Sequence, residues 1–270
     1  NLDLWITHNQ TSGSSPMQDR LLKGNGDGVF VDVTANRGLE TQEWNRIGPL
    51  NNAKAHSWAW SGAACDLDND GLPELLAASY GRAPNHLWSA VEDDGTVAYE
   101  NHAIESGYAF DHRDDWTDDR SAQCYCADNP TAEDCESVPA ADSNLCDSMR
   151  AAFGDNYRWD HNYSREPFRL GGNSGTTVCA DLDNDGWLDL ITHEIVHWDV
   201  GSSSDPSEIL WNSGESPPRL ERPGNEATGL VREDAASTWD HGDMTGAVLD
   251  FDNDGWLDIY IGASDYTGNR

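Results

Sequence analysis

Three nine-residue segments of this chain carry the same spaced acids: Asp66-Leu-Asp-Asn-Asp-Gly-Leu-Pro-Glu74, Asp181-Leu-Asp-Asn-Asp-Gly-Trp-Leu-Asp189 and Asp250-Phe-Asp-Asn-Asp-Gly-Trp-Leu-Asp258. A calcium ion takes roughly six to eight hard oxygen ligands at about 2.3–2.6 Å. Positions one, three and five offer carboxylates, from Asp66, Asp68 and Asp70, from Asp181, Asp183 and Asp185, and from Asp250, Asp252 and Asp254. Position seven (Leu72, Trp187, Trp256) offers a backbone carbonyl, and position nine (Glu74, Asp189, Asp258) a closing acid. Gly71, Gly186 and Gly255 permit the turn that brings both halves around one ion. Without a cation these acids repel one another, so ion binding is expected to be part of folding, with about one Ca2+ per complete loop. The protein fills every ligand position, which points to a structural ion rather than a catalytic one. An EF-hand requires Glu at position twelve, but Ala77, Thr192 and Ile261 stand there.

The elements that must hold these loops are strands. Each loop runs into a β-type stretch: Leu75-Leu-Ala-Ala-Ser79, Leu190-Ile-Thr-His193 and Ile259-Tyr-Ile-Gly262. The N-terminal Leu2-Asp3-Leu4-Trp5-Ile6 matches the tail of the same unit, with Asp3 in the ninth position. Ninth positions therefore recur at steps of 71, 115 and 69 residues, a unit of about 70 residues with one insertion. Leu21-Leu22, Leu87-Trp88 and Leu210-Trp211 begin a further strand in each unit, followed by turns at Asn25-Gly-Asp-Gly28, Asp93-Asp-Gly95 and Asn212-Ser-Gly214. Each unit then reads as four antiparallel strands: one before the acidic loop, one after it, and an outer hairpin. Tandem four-stranded units predict an all-β fold, a β-propeller. The blades fall at residues 1–45 (part), 46–106, 166–232 and 233–270 (part) of one domain, with a Cys-rich insertion at about 107–165.

The triple loop, its flanking strands and the stretch Leu22-Lys-Gly-Asn-Gly-Asp-Gly-Val-Phe-Val-Asp-Val-Thr34 resemble FG-GAP/VCBS repeats, closest to the group that includes cartilage acidic protein. That resemblance implies blades of a propeller, commonly seven, with calcium loops joining the first two strands of a blade. It also implies an adhesion or cell-surface role. The chain holds about three blades' worth of sequence, which makes it the expected fragment of a larger ring.

His193-Glu-Ile-Val-His197 matches the zinc-protease pattern H-E-x-x-H, which works only on a helix, where both histidines share a face. Here the segment continues a strand, and across four extended residues the two rings stand about 13 Å apart, too far for one zinc. The far ends of the strands offer a better place for function. His56, Trp58 and Trp60 precede the first loop by a strand's length; Asp240, His241 and Asp243 precede the third; His193, Glu194, His197 and Asp199 follow the second. His161 lies in a Trp-Asp-His string that recurs at 239–241. Propellers bind ligands on loops at one mouth, and Trp with acids suits sugars or cationic ligands. His with acids suits a transition metal or acid–base chemistry. The leading expectation is a ligand- or partner-binding module; the alternative is a metal-dependent hydrolase, lyase or oxidoreductase with a transition metal on that rim.

A net charge of −33 with only two lysines, Lys23 and Lys54, repels nucleic acid and anionic membranes. An extracellular protein, a glycan or a small cationic ligand is the expected partner. No apolar run is long enough to insert in a membrane. Cys124, Cys126, Cys135 and Cys146 crowd into a segment poor in core residues, where two disulfides would staple a loop; a zinc site is the lesser fit because the spacing lacks paired C-x2-C knuckles. Cys65 and Cys179 stand alone. Together these features predict a secreted, periplasmic or cell-surface protein.

Overall fold

Alternating and doubly apolar runs become strands in the computed structural model, which describes residues 2–8, 11–12, 15–43, 49–50, 52–81, 83–111, 117–132, 135–136, 138–139, 141, 143–153, 172–196, 204–231 and 241–263. The first sheet is antiparallel, with β1 (Leu4–Ile6) beside β4 (Arg20–Gly24) and then β5 (Phe30–Asp32). A short hairpin, β2 (Thr11–Ser12) and β3 (Ser15–Pro16), lies between β1 and β4 in sequence. The second sheet runs in chain order: β6 (Trp58–Cys65), β7 (Glu74–Tyr80), β8 (His86–Asp93) and β9 (Thr96–Asn101), all antiparallel. Two helices follow, α1 (Arg120–Asp128) and α2 (Ser143–Phe153). The third sheet repeats the order with β10 (Ser174–Ala180), β11 (Asp189–Val196), β12 (Glu208–Asn212) and β13 (Leu220–Glu221), followed by the single turn of α3 (Asn225–Thr228). A last hairpin, β14 (His241–Leu249) and β15 (Asp258–Ala263), joins the end of β11 through Ile195 opposite Gly242 and Val196 opposite His241.

The acidic loops thus connect β6 to β7, β10 to β11 and β14 to β15, as their repetition predicts. One irregularity repeats with them. The strand leading into each loop is bulged between Ala59 and Ser61, between Ser174 and Thr176, and between Asp243 and Thr245. The extra residue, at Trp60, Gly175 or Met244, stands six positions before the first Asp every time. Such a bulge bends its strand and re-aims the side chains beyond it. At Gly175 the bend is tight: a Cβ there would sit 2.8 Å from the Met244 carbonyl oxygen, so the two bulges pack backbone to backbone.

Packing explains why β7 and β11 are apolar without alternation. Both are buried on both faces over nearly their whole length. Leu75 and Ala77 join Leu21, Leu39, Trp88 and Tyr99 in a core between the first and second sheets. Leu76 turns the other way, into a core with Leu67, Leu87, Tyr108, Leu190 and Leu210 that joins the second sheet to the third. The outer faces differ: Val29 and Val31 on the first sheet, and Phe251, Trp256 and Tyr260 on the last hairpin, are more than half exposed.

The Cys-rich insertion departs from the stapled loop that its composition suggests. Its described residues include two helices: Asp119 caps α1 by accepting from the Ala122 amide at 2.8 Å, which satisfies one of the orphan amides of the first turn. Cys124–Cys146 and Cys126–Cys135 join these helices to each other and to the segment between them. The helices need little apolar surface because the disulfides carry much of the constraint. The solitary Cys65 and Cys179 are also bonded, linking β6 to β10 across 114 residues, so all six cysteines are paired. Three disulfides form and persist in an oxidising environment. Among the described residues no helix is long and apolar enough to cross a membrane.

Candidate metal centre

The three loops share the same turn hydrogen bonds. The glycine amide at position six donates to the first Asp: Gly71 to Asp66 (3.1 Å), Gly186 to Asp181 (3.0 Å) and Gly255 to Asp250 (3.0 Å). The position-seven amide donates to the fifth-position acid: Leu72 to Asp70 (2.7 Å), Trp187 to Asp185 (2.8 Å) and Trp256 to Asp254 (2.9 Å). The fourth residue takes a left-handed conformation (Asn69 φ 57°, Asn184 φ 60°, Asn253 φ 60°), as does the glycine (φ 90°, 94° and 91°). Asparagine tolerates that region better than other residues with a Cβ, and glycine has no penalty there, which accounts for both residue types.

Carboxylate oxygens gather where a cation would sit. Ligand atoms of Asp66, Asp68 and Asp70 lie within 4.8 Å of one another, as do those of Asp181, Asp183 and Asp189 and those of Asp250, Asp252 and Asp254. In the first two loops the spare oxygen of the first Asp, Asp66 Oδ1 and Asp181 Oδ1, is buried and meets no hydrogen-bond donor. Leaving a buried carboxylate oxygen without a donor is costly, on the order of a few kcal/mol, unless a cation meets it. The donor set is all oxygen, which suits calcium and disfavours softer metals.

The ninth-position acid does more than close the loop. Both oxygens of Glu74 accept backbone amides, Leu67 at 2.8 Å and Ala90 at 3.2 Å. Asp189 accepts Leu182 at 3.0 Å and Asn212 at 2.9 Å, and Asp258 accepts Phe251 at 2.8 Å. Asp3 accepts the Gly24 amide on β4 at 2.9 Å, the counterpart of the bonds that Ala90 and Asn212 make. This acid therefore staples the loop to the third strand of its sheet, and each oxygen keeps a lone pair for an ion. Burial raises Glu74 to about 7 and Asp189 to about 6 in the absence of metal.

Neighbouring loops also hold each other. Asn69 Nδ2 donates to the Gly186 carbonyl (3.1 Å) and Asn184 Nδ2 to the Gly255 carbonyl (3.5 Å). Asn212, buried, donates to the carbonyls of Leu67 (2.7 Å) and Leu188 (2.9 Å), and Ser216 Oγ donates to Asp68 (2.6 Å). The Cys65–Cys179 disulfide stands directly upstream of the first two loops.

At the opposite ends of the strands the predicted rim divides. His161, His197, Asp199 and Asp240 lie outside the described residues, and of His241 only its place in β14 is described. Glu194 and Asp243 are brought together: Ser207 Oγ accepts from the Glu194 amide (2.8 Å) and donates to Asp243 (2.6 Å). His193 and Glu194 are successive residues of β11, so they face opposite sides of the sheet. His193 Nδ1 lies 3.2 Å from the Thr176 carbonyl, and its ring backs onto Gly246. His56 belongs to another cluster, with Nδ1 2.5 Å from Thr41 Oγ1. Trp60 stacks flat on Tyr80 at 4.5 Å, and the ring of Trp58 covers Gly81.

Sequence reasoning missed a second set of buried polar groups nearby, Asp205, Glu208 and Arg222. Glu208 and Arg222 form an ion pair, and Arg222 also donates to the carbonyls of Gly107 (3.1 Å) and Tyr108 (3.2 Å). Asp205 lies beside them. Burial holds Glu194 and Asp205 well above the usual carboxylate range. His86 is also fully buried and lowered by that burial to about 4, its ring edge-on to Trp88. Of these, Glu194 alone sits in a motif; for Asp205 and Glu208 a Ser-Asp-Pro-Ser-Glu run just ahead of an apolar strand is the one available hint. No family model, no curated protein and no solved structure matches the chain.

Proposed function

We propose that this chain is a calcium-stabilised segment of a β-propeller of FG-GAP/VCBS type, working outside the cytosol as a ligand- or partner-binding module. The observation that carries the reading is the thrice-repeated loop whose first acid, in Asp66 and Asp181, keeps a buried oxygen with no donor. Stacked four-stranded units and bulges at one repeated position support the propeller. The exposed apolar faces of the first sheet and last hairpin are where further blades of the same kind would pack. In this reading the ions are struts, and ligands meet the opposite rim, where the half-buried Trp60 stacks on Tyr80; Glu194 and Asp243, joined through Ser207, are buried at the same ends of their strands. Partly exposed aromatic faces on such a rim suit a sugar or a cationic group on a protein partner.

Elemental analysis of the purified protein after exhaustive dialysis tests this. Calcium without stoichiometric zinc, copper or iron is the expected result. A stoichiometric transition metal, lost in a His193→Ala variant, would replace the binding module with a metalloenzyme.

A further inference from the structure

Near the far end of β11 and in the segment that leads into β12 stand further buried oxygens that meet no partner. Glu194 is 1% exposed; its Oε1 accepts from Ser174 Oγ at 2.6 Å, and its Oε2 has no partner. Asp205 is 2% exposed; its Oδ2 accepts the Asp111 amide at 3.2 Å, and its Oδ1 has no partner. Ser204, the adjoining residue, is 3% exposed, and its hydroxyl is likewise unpartnered. The two acids share one wall. A Cβ placed on Gly172 would meet Glu194 Oε2 at 2.1 Å and Asp205 Cβ at 3.1 Å, so both carboxyl-bearing side chains press against the same bare backbone. Arg222 lies near but directs its donors to Glu208 and to the Gly107 and Tyr108 carbonyls, leaving the two free oxygens unmet.

We propose that Glu194 Oε2 and Asp205 Oδ1, together with the hydroxyl of the adjoining Ser204, hold one hard divalent cation of the calcium class, separate from the three loop ions. Burial disfavours the ionised form of both acids, and the one Arg222 guanidinium nearby is already paired with Glu208; a divalent cation would hold both carboxylates ionised and offset their mutual repulsion. The donors are carboxylates and a hydroxyl, which select calcium over a thiolate- or imidazole-loving metal. The site is independent of the second loop, because Asp189 and Glu194 sit at opposite ends of β11, about 17 Å apart at the strand rise. It ties β11 to the lead-in of β12, and through the Asp111 amide to the base of the helical insertion. The inference shares Glu194 with the rim described above but does not depend on the loops binding calcium.

Equilibrium dialysis against Ca2+ tests it on three proteins: the wild type, a Glu194→Gln/Asp205→Asn variant, and a variant with Asp66, Asp181 and Asp250 all changed to Asn. The acid-pair variant is expected to bind one ion fewer than the wild type, and the loop variant to retain one ion. A folded acid-pair variant with the wild-type count overturns the proposal. Should that variant fail to fold, the loop variant decides: one retained ion upholds the site and none overturns it. If Zn2+ fills the site and Ca2+ does not, the assignment to a hard cation fails. Loss of the loop ions alone would instead bear on the loops, so the two readings fail separately.

Discussion

Stripping calcium with EDTA should lower the unfolding midpoint by about 20 °C and reverse its dependence on pH. A site filled at a hundred times its dissociation constant stabilises the folded state by about 2.7 kcal/mol, so three loops contribute about 8 kcal/mol together. At this chain length each kcal/mol moves the midpoint by about 2–4 °C. The pH reversal follows from Glu74 and Asp189, which burial raises to about 7 and about 6. In the metal-free protein the folded state holds protons that the unfolded chain has already released. The stability tied to these groups is therefore complete below the ordinary carboxylate range and is lost as pH rises through about 7. With calcium bound the carboxylates are held ionised, protons compete with the ion, and stability falls instead as pH drops. Melting curves at pH 5 and pH 8, with and without EDTA, read both effects. A midpoint indifferent to EDTA would remove the structural role of the loops.

Breaking the Cys65–Cys179 bond should have the second largest effect. Its span of 114 residues is long, and the chain-entropy model gives about 4.7 kcal/mol for a loop of roughly 100 residues, against typical measured values of about 2–4 kcal/mol. We expect Cys65→Ser/Cys179→Ser to cost about 3 kcal/mol and roughly 10 °C of midpoint. Cys65 immediately precedes Asp66 and Cys179 lies two residues before Asp181, so the variant should also bind calcium more weakly in those two loops. The comparison is Cys124→Ser/Cys146→Ser. That bond lies among the residues of the insertion's own small core, with Met149, so its loss should leave the main transition and the loop ions nearly unchanged. Equal effects from the two variants would contradict the assignment of the long bond to the sheet stack.

The contrast between these bonds shows what the residues reveal unaided. Acidic loops are local: nine residues fix their own turn, and the asparagine and glycine at positions four and six are chosen by a left-handed backbone, so spacing alone locates them. Strand order was legible for a related reason, since each apolar run follows its loop at a constant distance. The Cys65–Cys179 pairing was not, because it depends on two leading strands lying side by side, a fact of sheet stacking rather than of spacing. A hint did exist, as both cysteines stand at the ends of strands that enter equivalent loops. The insertion misled for another reason: Ser, Asp and Ala-rich segments read as loop, yet the Asp119 cap and two disulfides suffice to hold α1 and α2. On the rim, Glu194 is marked by its place on the strand that follows the second loop, and β11 is a strand there and not the helix that H-E-x-x-H requires. Its actual neighbours, Asp205, Ser207 and Ser174, come from other segments and carry no motif.

Calorimetric titration of the metal-free protein with Ca2+, compared with an Asp66→Asn/Asp181→Asn variant, tests the central claim most directly. Asparagine can still accept the Gly71 and Gly186 amides through its oxygen, but it then turns its NH2 toward the place of the ion. The variant should keep its fold in calcium-free buffer and bind two ions fewer than the wild type. An unchanged number of calcium ions would contradict the account.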